Sequence, residues 1–202
     1  MVHGNGYSTR QHMEIALLSE IERLLSSGER FEQLRIATLT QRTGIPRSTF
    51  YAHFQDKLDL MDRLVARLVD ELFESASQWY ANPEQPNRDH LRSSLANMLT
   101  VYERYRSLFM VVMAHNLEQQ PMVALFRKHL RTLIIRNRRL LKQSLASHRL
   151  RPALPEGVME VLVLMVQRGA QQLPEAPSSL QREALLDAWT HVIWHSLFVD
   201  PR

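Results

Sequence analysis

The sequence predicts an all-α protein built as an N-terminal three-helix domain with a helix-turn-helix, residues 1–57, and a larger helical domain, residues 58–202. Three observations carry this. Apolar residues recur three and four apart along most of the chain, and no stretch alternates as a convincing strand. Clusters of proline, glycine and asparagine cut that periodicity into lengths suited to helices. Finally, residues 36–57 read as a short helix, a glycine turn, a shorter helix and a fresh cap.

Composition narrows the class. With 202 residues and 45% hydrophobic content the chain can bury a sizeable core. It has no cysteine, so disulfides, thiolate metal sites and a cysteine nucleophile are all excluded. There is no signal-peptide pattern and no apolar run near 20 residues, which sets the expectation of a cytoplasmic protein away from membranes. A formal charge of +4 and a pI near 9.8 permit nucleic-acid binding without requiring it. Residues 1–57 carry seven bases (Arg10, Arg23, Arg30, Arg35, Arg42, Arg47, Lys57) against six acids (Glu14, Glu20, Glu22, Glu29, Glu32, Asp56), a net of only +1. Placement therefore matters more than balance: most of the acids precede residue 36, and the segment after it is basic.

Residues 1–7, with two glycines, form an arm. The first helix, starting at residue 8 or 9 and ending near 26, places Ile15, Leu18, Ile21 and Leu25 on one face and stops before Gly28. Phe31 and Leu34 plug the junction that follows, and Arg35 either caps the next helix or reaches a phosphate. From Ile36 to Thr43, Ile36, Leu39 and Thr40 share one side of a helix and Thr38, Gln41 and Arg42 the other. Gly44 ends it, since glycine enters the left-handed region without a Cβ penalty, and Ile45 can fold back over the cap. Pro46 suits the first turn of the next helix because it has no N–H to leave unpaired. Phe50 and Phe54, four apart, share the buried face of that helix. Asp56 then caps another helix, with Lys57 in its first turn, where a cation calls for a nearby anion such as a phosphate. A helix entering a major groove needs short polar and guanidinium groups at its start and phenol, imidazole or ammonium groups for flanking phosphates. The segment supplies both: Arg47, Ser48 and Thr49 for base edges, and Tyr51, His53 and Lys57 for phosphates, with Thr38 and Arg35 beside them.

In Leu39, Gly44, Ile45, Thr49, Phe50, Tyr51, His53, Phe54 and Lys57 the chain resembles the tetracycline-repressor (TetR) family of transcriptional regulators. It departs from the family pattern at Thr40 and Thr43, in place of alanines, and at Pro46, in place of serine. The resemblance implies a homodimer on a palindromic double-stranded DNA operator, a small-molecule effector that releases it, usually repression, and no cofactor.

Residues 57–80 repeat an apolar stripe through Leu60, Met61, Leu64, Val65, Leu68, Leu72, Phe73, Ala76 and Trp79, and the two prolines and two asparagines of 81–87 break it. A helix over 88–105 turns Leu91, Leu95, Met98, Leu99 and Tyr102 inward. Residues 108–114 are apolar all round and are expected to be buried on every side. Pro121 opens a long helix to about 147, with Phe126, Leu130, Leu133, Leu140 and Leu141 on one face. Its other face is basic through Arg127, Lys128, Arg131, Arg136, Arg138, Arg139 and Lys142, followed by Arg149 and Arg151. That face is either solvated and balanced by neighbouring acids, or a site for an anionic effector or further DNA. Helices over 156–172 and from 178 or 179 to 199 complete the chain. In the last one Leu185, Leu186, Trp189 and Ile193 form one apolar face and Trp194 and Phe198 another. The resemblance implies that these two helices pair with their copies as a four-helix bundle, so Val161, Met165, Trp194 and Phe198 are the expected dimer contacts.

For a ligand pocket the sequence offers Asn137, an amide inside an apolar stripe, together with Tyr102, Tyr105, Trp79, Phe109, Met113, His115 and Phe126. His191 and His195 have a spacing that can bind a metal, but no third ligand is identifiable and no metal is expected. No nucleotide-binding glycine loop, GxSxG elbow or HExxH is present. The alternative is a helical ligand-binding protein or enzyme without DNA binding, for which His90, His115 and His129 are the available acids and bases. An accessory protein that binds another regulator through its last helices is a third reading.

Overall fold

The computed structural model describes residues 9–76, 79, 86–113, 120–144, 151 and 154–199, with backbone alone at 9, 113, 120–123, 126 and 141–144. The expected arm at 1–7 lies outside them. Among the described residues there are nine α-helices and one 3-10 turn: α1 (Thr9–Ser26), the 3-10 turn (Phe31–Gln33), α2 (Ile36–Thr43), α3 (Arg47–His53), α4 (Lys57–Ser75), α5 (Arg88–Arg104), α6 (Arg106–Met113), α7 (Gln120–Ser144), α8 (Val158–Gln172) and α9 (Ser179–Leu197). No helix among the described residues is long and apolar enough to cross a membrane.

The chain divides into two compact units, residues 1–68 with 105–126, and residues 69–104 with 127–202. In the first, α1 packs on α2 and α6, and α2 on α3. The buried stripe of α1 is Met13, Leu17, Leu18, Ile21, Leu24 and Leu25; Ile15, expected inward, is only half-buried. Phe31 and Leu34 are buried at the junction as expected. Gly44 ends α2 at φ 69°, and α3 follows after two residues. Pro46 stands just before α3 with extended ψ, not in its first turn, and its carbonyl accepts from the Phe50 N–H at 2.9 Å. Helix α3 therefore starts at Arg47, and no side chain caps it. Asp56 Oδ1 accepts from the N–H groups of Leu58 and Asp59, both at 2.8 Å, which fixes the start of α4.

The start of α6 has an unexpected partner. The Glu22 carboxylate on α1 accepts from the N–H groups of Ser107 at 2.9 Å and Leu108 at 2.8 Å, so an acid from one helix caps the positive end of another. Leu108, Phe109 and Val112 are buried, but Met110 is 47% exposed. The expectation that this segment is buried on every side is therefore corrected: two turns of helix against α1 cover one side of it.

In the second unit α5 packs on α9, and α9 on α8. Ser178 and Gln181 form a reciprocal capping box at the start of α9. Arg92 pairs with Glu183 and Asp187, and Arg182 donates to Glu103, Thr100 Oγ1 and the Ala96 carbonyl, so cross-helix charges fix the register of α5 and α9. Gly169 brings α8 onto α9; a Cβ there would stand 2.8 Å from Trp189 Nε1. On α7, Arg136 pairs with Asp70 and lies 3.8 Å over the Phe73 ring, while Arg138 pairs with Glu160. These two arginines of the basic face therefore answer neighbouring acids, whereas Arg127, Arg131 and Arg139 are exposed. Arg151 is tied to the end of α9, its N–H donating to the Leu197 carbonyl and its Nε to that of His195, each at 2.9 Å.

Candidate nucleic-acid interface and internal cavity

On α3 the aromatic pair comes first. Phe50 and Phe54 are fully buried with ring centroids 5.1 Å apart, and they fix which way the short helix turns. Arg47, Ser48 and Tyr51 then fall on the exposed side, with Tyr51 56% exposed and edge-on to Phe50. Thr49 and His53 are half-buried, as is Thr38 on α2, and Arg35 is exposed at the N-cap of α2 without a side-chain capping bond. The structure thus collects a guanidinium, a hydroxyl and a phenol on one accessible face. Around it, Glu20 on α1 bonds Arg23 at 2.7 Å and faces Arg42 of α2 at 3.7 Å. Its carboxyl is held below the usual range chiefly by the hydrogen bond from Arg23, with the Arg42 charge adding, against desolvation.

Lys57, read from sequence as a phosphate contact, has a different engagement in the free chain. Its ammonium donates to the carbonyls of Phe31 at 2.9 Å, Glu32 at 2.9 Å and Leu34 at 3.2 Å, and lies 4.8 Å from the Phe31 ring centroid. All three N–H donors are thereby engaged. Burial lowers its pKa below the ordinary lysine value, with the Glu32 carboxylate opposing. The anion that a first-turn cation calls for is replaced by three carbonyl dipoles at the end of the 3-10 turn.

The second unit holds a partly open cavity of about 60 Å³. It is lined by Ala76 and Trp79 after α4, Leu91, Ser94, Leu95 and Met98 of α5, Leu133 and Asn137 of α7, Met159, Leu162, Val163 and Val166 of α8, and Ile193 and Leu197 of α9. Trp79 and Asn137 were anticipated. Asn137 Nδ2 donates to the Leu133 carbonyl one turn back at 2.9 Å. Tyr102, Tyr105 and Phe109 are buried but do not line the cavity, and Tyr105 and Phe109 belong to the other compact unit. The α5 stripe buries Leu91, Leu95, Leu99 and Tyr102 as expected, but of that stripe it is Leu91, Leu95 and Met98 that line the cavity. The side chains of Met113 and Phe126, and His115 altogether, lie outside the described residues. Ser94 was missed. Its signal was in the sequence, a hydroxyl next to Leu95 and three residues beyond Leu91, a polar group within the α5 stripe as Asn137 is within that of α7.

Of the expected dimer contacts, Val161 is 66% exposed and Met165 half-buried, but Trp194 and Phe198 are buried within their own chain. Those two rings stack at 4.6 Å, and Phe198 meets Trp79 edge-on at 6.5 Å. Both are therefore removed from the interface reading, because their partners come from the same unit. The exposed apolar residues of α8 and α9 are Val161, Leu164, Leu180 and Val192. The His191 and His195 rings lie 4.4 Å apart, and no group of three metal-ligating side chains forms among the described residues.

No family model matches the chain. Among solved structures it is similar to a protein described as a TetR-family transcriptional regulator from Rhodococcus sp., with TM-score 0.73 and 14% identity over 92% of this chain and 100% of that one. A second, from Syntrophomonas wolfei, matches with TM-score 0.71 and 12% identity over 91% and 96%. Reduced NemR of E. coli matches with TM-score 0.66 and 16% identity over 94% and 100%. At such identities the likeness is one of fold, and the fold of this chain is that of the TetR-family transcriptional regulators.

Proposed function

We propose that the chain is a DNA-binding transcriptional regulator that acts as a homodimer on a palindromic operator, as a repressor released by a small molecule. The observation that carries this is the exposed face of α3. Its buried side is fixed by Phe50 and Phe54, and Arg47, Ser48 and Tyr51 are left accessible at its start. Arg47, Ser48 and Thr49 are the base-reading group in this proposal. Tyr51, His53, Thr38 and Arg35 hold phosphates, and Lys57 shapes the reading head from within. Two such helices must stand about 34 to 36 Å apart to enter successive major grooves. The effector site in this reading is the cavity of the second unit, and dimerisation uses the exposed apolar residues of α8 and α9. Filling the cavity favours an arrangement in which the two reading heads no longer match the operator spacing.

The experiment is selection of random duplex DNA by the purified protein at two salt concentrations. The expected result is a palindromic consensus whose affinity falls steeply with salt. Arg47→Ala should then cost about 1 to 3 kcal/mol on the consensus and relax preference at one base position in each half-site. Failure to enrich any sequence, with catalytic turnover in a substrate screen, would replace this reading with that of a helical enzyme.

A further inference from the structure

The wall of the cavity specifies what it accepts. Among the described residues none of its lining side chains is ionisable, and the polar side-chain groups at its wall are the Ser94 hydroxyl, the Asn137 amide and the Trp79 indole N–H, a donor only. Ser94 is 1% exposed, and its hydroxyl donates a long bond of 3.4 Å to the Ala76 carbonyl. A serine hydroxyl has one proton and two lone pairs, so this bond leaves its oxygen able to accept. An ion entering this space would lose much of its hydration with no opposite charge among the described lining residues, a penalty that nothing there offsets. A neutral apolar body loses only water-exposed surface.

We infer that the cavity binds a compact, uncharged, mainly hydrocarbon molecule carrying one hydroxyl, which donates its hydrogen bond to Ser94 Oγ, and that carboxylates and ammonium compounds are refused. This rests on the cavity being the effector site, and it adds the chemical class and the anchoring residue. Size follows from the volume. A closed cavity of about 150 Å³ holds a benzene ring; at about 60 Å³ and partly open, this one takes at most a single small ring that fills its open side as well, and no fused or extended one. Trp79 and the thioethers of Met98 and Met159 among the lining residues suit an aromatic ring.

The test uses the full chain, with phenol, benzene, benzoate and benzylammonium as probes, titrated calorimetrically against wild type and Ser94→Ala. Phenol should bind once per chain and roughly 3- to 10-fold more tightly than benzene, the gain of one neutral hydrogen bond. Benzoate and benzylammonium should bind at least about 100-fold more weakly than phenol. Ser94→Ala should bring phenol to the benzene level and leave benzene unchanged. That four-way comparison separates an anchor from a packing role, because a packing defect weakens both probes alike. Equal losses for phenol and benzene, benzoate binding as tightly as phenol, or no binding of either neutral probe would each overturn the inference. A separate measurement asks whether phenol lowers affinity for the selected operator. If phenol binds in the expected pattern and operator affinity does not change, the ligand class stands and the effector reading falls.

Discussion

Lys57→Met tests whether this lysine is part of the scaffold or part of the DNA contact. Methionine keeps most of the stem against Phe31 and removes all three N–H donors from the carbonyls of Phe31, Glu32 and Leu34. A hydrogen bond from a charged donor contributes roughly 1.5 to 3 kcal/mol. The three share one ammonium and are not additive, and the group is only partly buried, so we take about 2 to 3 kcal/mol for the whole. The Phe31 carbonyl keeps a second partner in the Leu34 N–H at 3.2 Å, which limits the loss. For a chain of this length that corresponds to a fall in Tm of about 5 to 10 °C. Operator affinity, measured over a range of salt below the new transition, should keep the wild-type slope of log K against log salt. A direct phosphate contact would contribute about 0.9 to that slope. A slope shallower by about 0.9, with Tm unchanged, would refute the clamp and restore the phosphate role.

Glu22→Ala removes the acceptor for two N–H groups at the start of α6 and should lower stability by about 1 to 2 kcal/mol in urea unfolding; Glu22→Gln, which keeps one oxygen acceptor, should recover part of it, and equal losses would mean that the cap is not the cause. Glu20 predicts a pH dependence. Its folded pKa is depressed chiefly by the Arg23 hydrogen bond, so its contribution is present above the usual carboxylate range and is lost as pH falls through its folded value. Its partner Arg23 is about half exposed and screened by solvent, so Glu20→Gln should cost about 0.5 kcal/mol at neutral pH and nothing in strong acid; a difference that grows on acidification would contradict the sign. Val161→Asp with Val192→Asp should yield a folded monomer in sedimentation, whereas Trp194→Ala should lower Tm through a core defect of about 3 to 5 kcal/mol. A stable monomer from Trp194→Ala would return that ring to the interface.

Three features set by their immediate neighbours were legible in the sequence, although the same local rules put Ile15 too deep and Pro46 one position too far into α3. The pair Phe50 and Phe54, the stop at Gly44 and the Asp56 cap are set by residues within four positions of one another, and all three are found as expected. Two engagements that the sequence did not show need the identity of a distant partner. Lys57 finds its carbonyls 23 to 26 residues away, and Glu22 finds its N–H groups 85 and 86 residues away. No period or motif marks a carboxylate on α1 as the cap of a helix so far along the chain. The pocket reading relied on aromatic content, which cannot distinguish a ring lining a cavity from one filling a core; Tyr102 is the second kind.

The same reasoning explains α9. Its apolar residues spread over two faces, and a helix with two apolar faces needs two partners. A second chain was the natural candidate, but the neighbours are internal: Trp189 meets Gly169 of α8, while Phe198, close on Trp194, meets Trp79. Besides Ser179, Gln181, Glu183 and Asp187, the exposed positions along α9 are Leu180, Ala184, Ala188, His191 and Val192, all with smaller side chains than the tryptophans it buries. Small exposed residues on adjoining turns let another helix approach closely. A symmetric contact through α8 and α9 therefore does not need the large aromatics. Of the large aromatics only Trp79 lines the cavity, with Phe198 against it, and α9 itself gives the cavity Ile193 and Leu197, on the side of the helix away from Ala184 and Ala188; in the proposed dimer a change of volume inside would have only one helix thickness to cross.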